Sequence, residues 1–264
     1  MDDGKEKLKE LFFKNVYGLS PNIENYNKKH AGAKGHWLEK KLGKNPDSDN
    51  SADFWGYECK NFTKSLTTWG DWTANKYIFD KKNNFNLDRD HFLQIFGKPN
   101  REKNNRCSWS GEPVPSYPNK FSNFGQLMTI DEFSNIKIQY SFLKDKRENK
   151  SYILPKEFQI ENLELAVWYG YEKYNQTKKT ALETKVNRKF NQKGWFKCII
   201  EDKVYKKIVF GNPVNFESWI DHVKKENIYF DSGMYQGNKR PYSMWRSINS
   251  FWGKLIYEEF TKET

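Results

Sequence analysis

Asp53, Glu58 and Lys60 stand within eight residues of one another in the run SADFWGYECKNF, residues 51–62, which otherwise reads as an aromatic β-strand. Charged groups are depleted from strands and costly to bury, so these three either decorate a solvent-facing edge as ion pairs or gather round something. Strand side chains alternate, which puts Glu58 and Lys60 on one face. Asp53, just before the strand or at a bend in it, can turn to the same face. Two carboxylates and an ammonium suit a hard divalent cation such as Mg2+, which takes oxygen ligands and keeps several waters. Such a cation activates water and stabilises charge developing on phosphate oxygens, while a lysine orients the attacking water or offsets the same charge. That is the chemistry of phosphodiester hydrolysis. The spacing D-x4-E-x-K is loose in a chain of which 30% is charged, so its neighbourhood decides between the two readings.

Several elements must position these residues. Leu8, Leu11, Phe12 and Val16 fall at helical spacing within 5–17, and HWLEKKLG reads as a second short helix stopped by Gly43. A polar loop, KNPDSDNS, leads into the opening strand; WTANKYIFD reads as another strand and DRDHFLQIFG as a helix. Residues 98–120, rich in Pro, Ser and Asn, form the least regular part, either a linker or a basic loop that reaches into a DNA groove. QLMTIDEF and IKIQYSFLKD alternate around a Ser-Asn turn as a hairpin, as do GWFKCIIED and VYKKIVFG. LELAVWYGYEKY reads as a buried strand, KTALETKVNRKF and FESWIDHVKKE as helices, and IYFDSGMYQGNKRPYSMWRS as strand, Gly-rich turn and strand. Strands mixed with a few helices predict an α/β (α+β) fold, a mixed β-sheet flanked by helices. The 264 residues form a single domain, or two lobes of about 1–150 and about 151–264.

Composition bounds the function. Ten Trp, 15 Tyr and 20 Phe supply enough apolar area for a packed core, which argues against a disordered chain. Forty-five Lys and Arg against 34 Asp and Glu leave a net charge of +11 spread along the chain. Such an excess favours a polyanionic partner, since phosphate neutralisation releases counterions; the plainer reading is a basic protein from a Lys- and Asn-rich genome. Cys59, Cys107 and Cys198 form no C-x-x-C pair, so neither a disulfide framework nor a zinc site is indicated. His30, His36, His91 and His222 lack a second ligand at metal spacing and read as surface or packing residues, and Trp69 and Trp72 as core. The charged N-terminus and the absence of a long apolar run predict a cytoplasmic protein that does not enter a membrane.

The stretch AGAKGHWLEKKLGKNPDSDNSADFWGYECK adds a Gly- and Lys-containing turn and a helix bearing Glu39. Here the sequence resembles the PD-(D/E)XK nucleases in their MutH-like branch, particularly Type II restriction endonucleases related to MvaI and BcnI. Lys34, Gly35, Leu38 and Glu39 match the branch's KG…LE helix, and Asp53, Phe54, Gly56, Glu58 and Lys60 match its PDF…G.ELK element. Ala52 stands where the family often has Pro and Cys59 where it has a branched apolar residue; neither change touches a charged ligand. NIYFDSGMYQGNKRPYSMWRS resembles the family's late hairpin, except that Gln236 stands where some relatives carry histidine, so a histidine-assisted step is not carried over.

The resemblance implies a restriction-endonuclease-like (MutH-like) fold with a DNA-binding cleft, its first lobe catalytic and its second for DNA recognition. It implies Mg2+-dependent, sequence-specific hydrolysis of double-stranded DNA, with Asp53 and Glu58 as metal ligands, Lys60 assisting the nucleophilic water and Glu39 supporting the site. Lys34, Tyr235, Lys239, Arg240 and Arg246 become the residues expected to contact DNA. Defence against foreign DNA in a restriction-modification system follows, with a cognate DNA methyltransferase as counterpart but not a bound subunit. Relatives act as monomers in many cases and cut CC-N-GG-like sites; monomer or homodimer is expected here. The competing readings are a MutH-like nicking enzyme of mismatch repair and a DNA-binding protein without activity.

Overall fold

Leu8, Phe12 and Val16 recur every four residues and all are fully buried, which makes α1 (Asp3–Asn15) an amphipathic helix laid on a core. A computed structural model provides the fold and describes residues 3–24, 32–45, 49–61, 63, 65–80 and 86–262. After α1 come α2 (Ala33–Lys41), β1 (Tyr57–Lys60), β2 (Leu66–Asp71), β3 (Lys76–Tyr77) and α3 (Arg89–Phe96). The middle holds β4 (Lys98–Asn100), β5 (Arg106–Trp109), β6 (Phe124–Ile130), β7 (Ile136–Asp145), α4 (Lys150–Ile153), β8 (Leu163–Trp168) and α5 (Leu182–Phe190). The rest is β9 (Gly194–Glu201), β10 (Val204–Gly211), α6 (Phe216–Lys224), β11 (Tyr229–Asp231), β12 (Met234–Tyr235), β13 (Met244–Ile248), α7 (Asn249–Lys254) and β14 (Ile256–Thr261).

The chain divides into two compact units. The first is built from Met1–Thr67, Lys185–Phe216 and Ile248–Thr264, the second from Thr68–Thr184 and Glu217–Ser247.

A four-stranded mixed sheet, in the order β1-β9-β10-β14, organises the first unit. β1 runs parallel to β9, with Glu58 opposite Trp195 and Lys60 opposite Lys197; β10 is antiparallel to both neighbours. Alternation sorts the two faces. Tyr57, Cys59, Phe196 and Cys198 join Leu8, Phe12, Trp37 and Leu38 in one core, so α1 and α2 cover that face. Glu58, Lys60, Trp195 and Lys197 point the other way, where Trp252 of α7 meets Trp195 edge-on at 4.9 Å and Phe190 of α5 at 6.3 Å. Two glycines permit this packing: a Cβ on Gly211 would sit 1.9 Å from the Trp195 ring, and one on Gly194, at φ +100°, would sit 2.2 Å from Gly211 O.

Three small sheets make up the second unit: β3-β8-β7-β6, β11-β13-β2 and β12-β5-β4. An aromatic core fills it, with Trp245 edge-on to Trp168 at 5.8 Å and to Trp219 at 5.2 Å. Trp69 and Trp72 are buried, as expected. WTANKYIFD is not one strand: β2 ends at Asp71, Trp72 N–H donates to Ser243 O, Asn75 N–H donates to Val167 O, and only Lys76–Tyr77 pair as β3. Nor is 98–120 irregular throughout, because β4 and β5 pair within it. Pro99 is tolerated there on an edge strand, and Trp109 anchors β5 by burying fully. No described helix is long and apolar enough to cross a membrane.

Candidate active site

The approach to β1 explains how Asp53 reaches its neighbours. Phe54 and Tyr57 exchange backbone hydrogen bonds of 2.9 and 2.8 Å around Trp55 and Gly56, whose φ values of +47° and +91° belong to a tight two-residue turn. Glycine takes that conformation freely and Trp55 is held in it by the closed turn. The reversal folds Asp53 back along β1, so that its Oδ2 accepts from Cys59 N–H at 2.9 Å while Lys44 Nζ binds Oδ1 at 3.0 Å.

Glu58 is almost completely buried, with only 3% of its surface exposed. Its Oε1 receives two ammonium groups, Lys60 at 2.9 Å and Lys189 of α5 at 3.0 Å. Its Oε2 is buried with no hydrogen-bond partner among the described residues. Burial pushes the Glu58 carboxyl up, against the pull of Lys60 and Lys189. Burial also lowers the Lys60 ammonium, which lies 4.9 Å above the Phe190 ring. For Lys189 burial lowers the value, but attraction to Glu58 and Asp53 outweighs it and the net direction is up. Glu39, on α2, is raised to about 7, first by burial and then by the nearby charges of Asp53 and Glu58.

Asp53, Glu58, Lys60 and Glu39 are therefore brought together, and the solvent-facing reading of the charged strand is excluded by the burial of Glu58 and Lys60. Lys34 is exposed on the first turn of α2. The other residues expected at DNA lie in the second unit: Arg240 is bound to Asp71 at 2.6 Å and Arg246 to Asp231 at 3.3 Å, Lys239 is exposed, and Tyr235 lies under the guanidinium of Arg106 at 3.6 Å. His91 is exposed beside Asp88, His222 is partly buried, and His30 falls outside the described residues.

Lys44, Lys189, Asn61 and Lys197 were not singled out by the sequence. Asn61 follows β1, and its Oδ1 is buried without a hydrogen-bond partner among the described residues. Lys197 pairs in register with Lys60 and donates to Thr67 Oγ1 at 3.0 Å and Asn249 Oδ1 at 3.2 Å; burial and the Lys60 charge lower it to about 8. Only the parallel pairing of β1 with β9 puts it there.

These residues fit a divalent cation by one observation in particular: Oε2 of Glu58 is buried and unpartnered among the described residues, and Glu39 feels the charges of both Asp53 and Glu58. Among the described residues no three His, Cys, Asp or Glu side chains gather closely enough to complete a ligand set. A hard cation that keeps waters and takes substrate oxygens suits such a partial set.

Residues 16–260 match the family model described as LlaMI restriction endonuclease. The chain is 45% identical over 267 residues to the Type II restriction enzyme ScrFI of Lactococcus lactis subsp. cremoris, across 97% of this chain and 98% of ScrFI. A solved structure, the restriction endonuclease MvaI in complex with its cognate DNA substrate, matches with a TM-score of 0.55 at 14% identity, over 97% of this chain and 96% of that one. That likeness shows the fold, which is of the PD-(D/E)XK kind. With its family match and its ScrFI relative both spanning nearly the whole sequence, this chain belongs to the LlaMI restriction endonuclease family.

Proposed function

We propose that this Type II restriction endonuclease cuts double-stranded DNA with Mg2+ held by Asp53 and Glu58, assisted by Lys60 and supported by Glu39. One observation carries the assignment: Glu58 Oε2 is buried and unpartnered while two ammonium groups fix Oε1, which leaves one oxygen of a tightly oriented carboxylate for a cation. Bound Mg2+ supplies an activated water and neutralises charge on the phosphate. Asp53 is aimed by the Cys59 N–H, which leaves its carboxylate little freedom. Lys60, desolvated and held by Glu58, places a positive charge where the phosphate oxygens become more negative. Lys189 anchors the same oxygen, Oε1, from α5.

Lys34, Tyr235, Lys239, Arg240 and Arg246 are proposed DNA contacts. Arg240 and Arg246 would exchange their carboxylate partners for phosphate on binding. In this reading the protein works in the cytoplasm as a monomer or homodimer and restricts foreign DNA, with a separate methyltransferase protecting the host's sites. Digestion of unmethylated phage DNA, with Mg2+ or with EDTA, tests it. Discrete fragments that appear only with Mg2+ and share one sequence at their ends are expected. Nicked but unbroken plasmid would favour single-strand cutting, and intact DNA that is still bound would leave a binding protein.

A further inference from the structure

The β4–β5 hairpin of the second unit carries four basic residues that the reading above leaves unused: Lys98, which is held by Glu112, and Arg101, Lys103 and Arg106. Asn100 pairs with Arg106 across a turn that closes through a 3-10 stretch at Arg101–Lys103 and two left-handed asparagines, Asn104 at φ +54° and Asn105 at φ +56°. Asparagine is among the residues that adopt this conformation most readily, so the turn is defined by its own sequence. β12 pairs with β5, placing Tyr235 opposite Ser108 and Met234 opposite Trp109. Trp109 and Met234 are fully buried, so alternation puts Arg106, Ser108 and Tyr235 on the opposite face. Arg106 is then the diagonal neighbour of Tyr235, and its guanidinium lies 3.6 Å over the ring. Gln236 locks the pairing: its Oε1 accepts from Cys107 N–H at 2.7 Å and its N–H donates to Cys107 O at 3.0 Å.

Arg106 differs from three other arginines of the second unit in what it binds. Arg240, Arg246 and Arg147 are each held by a carboxylate, of Asp71, Asp231 and Asp145. Among the described residues none pairs with Arg106, and its buried Nε has no hydrogen-bond partner. A guanidinium held over a ring with its Nε buried keeps the outer N–H donors of its fork for an outside acceptor. That fork matches O6 and N7 of guanine, and the major groove admits a two-stranded ribbon.

We propose that the β4–β5 hairpin enters the major groove of the DNA, with Arg106 reading a guanine and the exposed Arg101 and Lys103 at its tip on phosphates; this rests on the DNA-cutting reading above. The test is made on the full chain with a short duplex carrying the sequence found at the fragment ends, and with duplexes changed at one base pair each, binding being measured in Ca2+ to separate it from cleavage. The unaltered protein discriminates at each position of its site. Arg106→Gln is expected to lose discrimination by about 5- to 140-fold at one G·C pair and to keep it elsewhere, and Arg106→Lys is expected not to restore it. Tyr235→Leu, which removes the platform under the guanidinium, is expected to weaken discrimination at the same pair. A uniform loss across all duplexes would overturn base reading and make Arg106 a phosphate contact. Unchanged discrimination in a folded variant would reduce the stack to packing. Failure of the nuclease reading has a separate signature, the absence of Mg2+-dependent fragments from the unaltered protein.

Discussion

At the scale of single residues, the proposed metal site rests on the unequal treatment of the two oxygens of Glu58. Ammonium groups from β1 and α5 converge on one, and the other is buried without a partner. The same crowding makes Glu39 a measurable reporter. Its carboxyl is raised from an ordinary value of 4.5 to about 7 by burial and by Asp53 and Glu58. A carboxyl whose folded value lies above its unfolded value contributes stability that is complete below about 4.5 and lost as pH rises through about 7. Glu39→Gln, measured without metal, should therefore raise the melting temperature at pH 8, by about 2–4 °C for each kcal/mol of charge burial and repulsion relieved, and change it little at pH 5. Equal shifts at both pH values would mean that burial and the neighbouring carboxylates do not raise Glu39. Asp53, Glu58 and Lys60 were legible in the sequence because one turn and one strand place all three. Lys44, Lys189 and Lys197 were not, since each is an ordinary lysine until other elements carry it to the carboxylates.

At the scale of elements, the parallel contact of β1 with β9 carries the candidate site, and the packing of β9 against β10 beside it depends on the absence of two side chains. Gly211→Ala would drive a Cβ to 1.9 Å from the Trp195 ring, and Gly194→Ala adds strain at φ +100° to a 2.2 Å clash with backbone. Each should cost at least about 2 kcal/mol, read as a fall of about 4–8 °C in Tm. Gly253→Ala, in α7 with nothing within 4 Å of the added Cβ, should leave Tm unchanged or raise it slightly. A drop in all three alike would show that these close approaches do not limit the packing. Hairpins such as β6–β7 and β9–β10 were readable because a local turn joins two alternating runs. The β1–β9 pairing was not, because parallel strands need a long crossover and leave no local trace. Nor were α7 and β14, which lie in a short aromatic and acidic tail, SINSFWGKLIYEEFT, without a clear period.

At the scale of the whole molecule, the mixed α+β fold and the polyanionic partner were legible from pattern and charge, whereas the two units were not. Each unit is assembled from stretches separated along the chain, so no composition shift or linker marks a boundary. The net charge of +11 gives an expectation of its own: binding to duplex DNA in Ca2+ should weaken steeply with salt, with log affinity falling against log salt at a slope of about −5 or steeper. A slope near zero would remove phosphate neutralisation from the binding energy. The central assignment is tested most directly by the single-turnover cleavage rate of a short duplex carrying the site, compared for the unaltered protein and for Asp53→Ala and Lys60→Met, with binding of the same duplex measured in parallel. Both variants should bind and cut more slowly by about 1,000-fold or more. Variants that bind and cut within about tenfold of the unaltered rate would contradict the assignment of Asp53 and Lys60 to the reaction.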